Sequence, residues 1–102
     1  LAEIEDNAMR RDRKLTHQQA RAMQQAARDT GILLVWTVMR GTADFASSIV
    51  CRPFLVSDGL ASPVFRYLIA KNIEELRAQL PPGLCCFPRT PADDPVILET
   101  WL

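Results

Sequence analysis

The feature that most restricts what this chain can fold into is a change of period within residues 64–83, V-F-R-Y-L-I-A-K-N-I-E-E-L-R-A-Q-L-P-P-G. Residues 64–70 are rich in the aromatic and β-branched types that suit a pleated surface, whereas Ile73, Leu76 and Leu80 recur on one helical face. A buried strand therefore feeds a short helix near Lys71. Asn72 offers an N-cap oxygen, Glu75 stands three residues on to bond back, and Pro81-Pro82-Gly83 cannot continue the helix.

A second helix is written earlier in the chain. Thr16 and Gln19 fit a capping box, and Leu15 and Ala20 are placed as its hydrophobic staple. From His17 to about Thr30 the residues are strong helix formers, and Gly31 is placed as a left-handed stop. At 100° per residue, Ala22, Met23, Ala26 and Ala27 share one side, with Arg21, Gln25 and Arg28 across from it. That apolar side is narrow and made of small groups.

Between the helices, residues 32–39 are apolar on both faces and read as an interior strand. Residues 48–56 are a second strand, with Pro53 implying an edge or a bulge because it has no amide to donate. Ser57-Asp58-Gly59 marks a turn, and Pro63 opens the third strand. Residues 84–87 can add a short extended piece, and residues 96–102 form a last strand that should sit inside the sheet or against a second subunit. The expected fold is a two-layer α+β domain: N-terminal helix, three-stranded antiparallel meander, crossing helix and C-terminal strand. The domain is expected over residues 16–102. Residues 1–15 are expected to be an extension, disordered or added upstream of the natural start, since Leu1 is no initiator and Met9 follows an acidic octapeptide.

Composition excludes some classes. Apolar residues at 48% and charged ones at 24% suit a folded domain, and twelve basic against twelve acidic residues leave no global field to attract nucleic acid or acidic membranes. The apolar run at 32–39 is far short of the roughly 20 residues that cross a bilayer, so no transmembrane helix is expected. Cys51, Cys85 and Cys86 are odd in number and two are adjacent, which is no disulfide framework and points to a reducing cytoplasm. With a lone His17 and no C-x-x-C spacing, neither a metal nor a cofactor is expected.

Residues 34–102 carry V-W-T-V at 35–38, E-E-L-R-A-Q-L-P-P-G-L at 74–84 and the ending P-R-T-P-A-D-D-P-V-I-L-E-T-W-L at 88–102. In these the chain resembles a family of small, uncharacterised bacterial proteins, and the resemblance implies no activity. Cys85-Cys86-Phe87 and Gly41-Thr42-Ala43 depart from that pattern.

Candidate sites are few. Arg52 and Arg66 on neighbouring strands, with Arg77 or Arg89 nearby, form an anion-binding patch if the hairpin register brings them to one face. Arg10, Arg11, Arg13, Lys14, Arg21 and Arg28 make a basic stretch that can lie on a phosphate backbone, although Gly31 leads into a strand where a helix-turn-helix needs its second helix. Asp93, Asp94 and Glu99 with Arg89 cluster in a proline-braced segment that reads first as a solvated turn. No catalytic residue emerges: His17 has no neighbouring serine or cysteine to activate, and Ser47-Ser48 lacks a nucleophile elbow.

One short helix cannot cover a four-stranded sheet, so a second surface is expected to finish the task. The leading expectation is a non-enzymatic, cytoplasmic interaction module that forms a homodimer or meets another protein through Ala22, Met23, Ala26, Ile97 and Trp101. Nucleic-acid contact through the basic helix, and an anionic-ligand protein or enzyme using the arginine patch, are the alternatives.

Overall fold

Thr16 closes the predicted capping box from both sides: its side chain accepts from the Gln19 amide, and its own amide donates to Gln19 Oε1 at 2.9 Å. In the computed structural model, which describes residues 13–41 and 47–102, helix α1 runs His17–Thr30 and stops at Gly31 with φ 71°. A second helix, α2, spans Ile73–Gln79. Its Asn72 cap accepts from the Glu75 amide at 2.9 Å.

The described strands are β1 Arg13–Lys14, β2 Leu33–Arg40, β3 Ile49–Ser57, β4 Leu60–Pro63, β5 Arg66–Ala70, β6 Cys86–Pro88 and β7 Ile97–Trp101. They form one mixed sheet in the order β1-β5-β3-β2-β7-β6, with β4 also paired to β3. β1 runs parallel to β5 and every other pair is antiparallel. The α+β class holds, but the three-stranded meander is replaced by this seven-stranded sheet. Arg13–Lys14 and Leu15, placed with the extension by sequence, belong to the fold: the first two pair with β5 and Leu15 is buried in the core. Residues 1–12, with their basic residues Arg10 and Arg11, lie outside the described residues.

The expected third strand, opened by Pro63, starts late, at Arg66, while Leu60–Pro63 pairs separately as β4, and Pro53 is the reason. Val64 donates its amide to the Pro53 carbonyl at 2.9 Å, as a ladder partner should, but Pro53 has no N–H to return to the Val64 carbonyl. That carbonyl accepts instead from the Arg66 amide at 2.8 Å and from Arg52 Nη1 at 3.0 Å. Going from the Phe54–Pro63 pair to the Cys51–Leu68 pair takes three steps along β3 and five along its partner, so the register slips by two residues. Phe65 is pushed outward there, 56% exposed. Pro53 thus sits buried in an interior strand, and the irregularity predicted for it appears in the strand opposite.

Both helices lie on one face. Ala20 and Ala27 of α1 and Leu76 of α2 are buried with Leu34, Trp36 and Val38 of β2, Cys51 of β3 and Leu68 of β5. The buried side of α1 is rotated from the one expected: Ala27 is buried and Met23 packs on the core as expected, but Ala20 and Gln24 also turn inward, whereas Ala22 and Ala26 stay exposed. Trp36 decides this, because its indole N–H is buried and finds its acceptor in Gln24 Oε1 at 2.7 Å.

The C-terminal strand β7 does lie inside the sheet, between β2 and β6. A bulge between Val38 and Met39 puts Ile97 opposite Met39 and Glu99 opposite Val38, which leaves Leu98 without a cross-strand partner. Leu98, Glu99 and Trp101 consequently share the helix side, whereas the sequence pattern set Trp101 beside Ile97 and away from Leu98.

Candidate interaction surfaces

Three places stand out: a polar network between α2 and β7, an apolar groove at one end, and the sheet face opposite the helices. In the first, Glu99 is buried and its carboxylate accepts from Arg77 through both Nε, at 3.0 Å, and Nη2; Trp101 Nε1 donates to the same carboxylate. The hydrogen bonds from Arg77 hold Glu99 below the usual carboxylate range against the opposing effect of burial. Burial, reinforced by the Glu99 charge, pushes the Cys51 thiol far above its ordinary value. Both oxygens of this carboxylate accept from Arg77, so the pair acts as a clamp between α2 and β7.

The remaining acidic candidates build a turn. Asp93 Oδ2 accepts from the Thr90 amide at 2.9 Å, and Asp94 Oδ1 accepts from the Val96 amide at 3.0 Å. Arg89 donates to the Asp93 carbonyl. No group of three or more metal-ligating side chains occurs among the described residues.

The arginine patch does not assemble. Leu68 faces the helices, so Arg66, two residues earlier in β5, shares that side and leaves its Nε buried without a partner. Arg52 follows the core residue Cys51 in β3 and therefore projects from the opposite face. Arg89 lies beyond the end of β6, on the turn.

The basic stretch is divided in the same way. Arg13 and Lys14 are in β1, at a sheet edge, while Arg21 and Arg28 are on the exposed side of α1, where Arg28 reaches the Pro82 carbonyl. His17 accepts a structural duty, its Nδ1 lying 2.9 Å from the Gln79 carbonyl and joining the start of α1 to the end of α2.

An apolar groove of about 270 Å³ opens between α1 and the sheet, lined by Met23, Ala26, Ile32, Leu34, Leu55 and Val64 among others. Around it the molecule leaves large apolar side chains in water. Ile32, Leu33, Leu55, Leu60 and Phe65 are all exposed; the pairs Leu33–Val56, Leu34–Leu55 and Ser57–Leu60 put Leu33, Leu55 and Leu60 at one end of the sheet, and Phe65 follows the groove residue Val64. Met23 and Ala26, two of the expected interface residues, line this groove; Ala22 is exposed nearby on α1, while Ile97 and Trp101 are half-buried in β7. Sequence reasoning missed Ile32, Leu55, Leu60 and Phe65, because each sits within a strand pattern or turn that reads as core.

No helix among the described residues is long and apolar enough to cross a membrane. Comparison of the chain with protein-family models, curated proteins and solved structures finds no match.

Proposed function

We propose that this chain is a non-enzymatic interaction module that self-associates through the apolar end of its sheet. The observation that carries the reading is the exposure of Ile32 and Leu55, which line the groove under α1, together with Leu33 and Leu60 at the same end of the sheet and Phe65 next to the groove residue Val64. Scattered apolar residues need no explanation, but an exposed group of them beside an apolar concavity costs solubility unless it is covered. A second copy is the simplest cover, since a two-fold axis through this end buries both patches at once. Cytoplasmic residence and a homodimer are parts of the same proposal, consistent with three free cysteines.

Trp101 is no longer the natural anchor, because its indole is committed to Glu99 within the same chain. Sedimentation at micromolar concentration tests the idea directly. The expected result is a dimer that dissociates in Ile32→Asp or Phe65→Ser without loss of the urea midpoint. A wild-type chain that stays monomeric at 100-fold higher concentration, or a variant that keeps the dimer mass, ends the proposal.

A further inference from the structure

The face opposite the helices carries an ordered row. Phe87 of β6 stands opposite Thr100 of β7, Thr100 opposite Thr37 of β2, and Thr37 opposite Arg52 of β3. On β5, Tyr67 falls next to the core residue Leu68 and so points the same way as this row, and Lys14 of β1 stands opposite Tyr67. Phe54 follows Arg52 by two residues on the same face. From Phe87 to Tyr67 the row crosses four strand spacings, roughly 19 Å.

Two properties of this face point to one ligand chemistry. Its charged strand positions, Lys14 and Arg52, are both cationic, and Glu99, the single acidic residue in any described strand, lies on the helix side, bound to Arg77. Its rings, Phe54, Tyr67 and Phe87, are separated by cations and hydroxyls, and Phe87 is 50% exposed.

We propose that this face binds single-stranded nucleic acid, with bases stacked on Phe87, Phe54 and Tyr67 and intervening phosphates met by Arg52 and Lys14. A strand of nucleic acid offers planar bases to the rings and phosphates to the cations, and Arg52 and Lys14 flank Tyr67 in the row while Phe87 stands at its far end. An acidic peptide has charge without planar groups and leaves the rings unmatched. A duplex hides its base faces and offers only phosphates to two cations. The site lies on the face away from the α1 groove and the basic helix, touching the apolar end only where Leu33 neighbours Phe54, and its test reads oligonucleotide binding rather than mass.

The experiment is fluorescence anisotropy of labelled 12-nucleotide oligo(U) and oligo(dT), and of a 12-base-pair duplex, against the full 102-residue chain at 50 mM salt. The expected result is micromolar binding of at least one single strand, much weaker binding of the duplex, and a log–log salt slope of about −1.4 for two phosphate contacts. Phe87→Ala weakens binding about tenfold, and Lys14→Gln lowers the slope by about 0.7. Both side chains are exposed, so urea unfolding should show each variant as stable as the parent. No binding at 100 μM protein, a duplex bound as tightly as a single strand, or parental affinity in both variants overturns the proposal. Loss of binding in Arg21→Gln/Arg28→Gln with Phe87→Ala and Lys14→Gln unaffected assigns the contact to the helix and overturns it equally.

Discussion

Trp36 Nε1 donates to Gln24 Oε1 at 2.7 Å, with both side chains out of water. This bond sets the rotation of α1 about its axis. Truncating Gln24 to Ala should leave a buried indole N–H without an acceptor and destabilise the fold by about 2 kcal/mol. Gln24→Leu with Trp36→Phe removes both partners, and should recover part of that loss relative to Gln24→Leu alone. Urea unfolding of the parent, Gln24→Leu, Trp36→Phe and the double variant measures the coupling.

Arg52 supplies a hydrogen bond to the Val64 carbonyl on the side where Pro53 has no amide to give. Arg52→Met is therefore expected to cost about 1 kcal/mol in the parent chain. In a Pro53→Ala background the restored amide can take over, and the same substitution should cost less. Equal costs in the two backgrounds, read from denaturant midpoints, would show that the guanidinium does not replace the missing donor.

The Glu99 clamp should make stability depend on pH. Arg77 holds the Glu99 carboxyl lower in the fold than the ordinary glutamate value, about 4.3, at which the unfolded chain titrates. The unfolded state thus takes up the proton first. The contribution is fully present above the unfolded value and is lost as pH falls through the lower, folded one. Arg77→Met leaves the charge buried without its cation and is expected to cost about 2 kcal/mol at pH 7, a value reduced from that of a fully buried pair because the Arg77 side chain is 45% exposed. The difference between the two proteins should shrink in acid, where a protonated Glu99 no longer needs the guanidinium. Unfolding curves at several pH values, followed by Trp101 fluorescence, give the answer.

Thiol accessibility offers a quick check of the packing. Cys51 is buried with its thiol held neutral, while Cys85 and Cys86 are exposed on and beside the edge strand β6. A maleimide reagent at neutral pH should modify two thiols in the native chain and the third only in denaturant. Modification of all three at one rate without denaturant would mean that the α2 side of the sheet is open.

Several of these elements were legible in the chain itself. The α1 limits, the Thr16–Gln19 box, the Gly31 stop and the Asn72 cap follow from hydrogen bonds closed within four residues, so residue identity alone fixes them. The Asp58–Gly59 turn is equally local, with both residues left-handed, at φ 52° and φ 77°, as a two-residue hairpin needs. The candidate surfaces were less legible. Sequence named Met23 and Ala26 as interface residues, Arg52 for an anion patch and Lys14 for a basic stretch, but grouped them with residues that the fold sends elsewhere.

Tertiary structure alone decided those groupings. Whether Gln24 turns in or out depends on an indole twelve positions away, and whether Arg52 shares a face with Arg66 depends on strand pairing and on the slip forced opposite Pro53. A shift of one residue in any pairing carries a side chain to the other face of the sheet. Local propensity therefore settled the two helices and the longer strands, while long-range pairing added β1 and β4 to the sheet and settled which side chains meet.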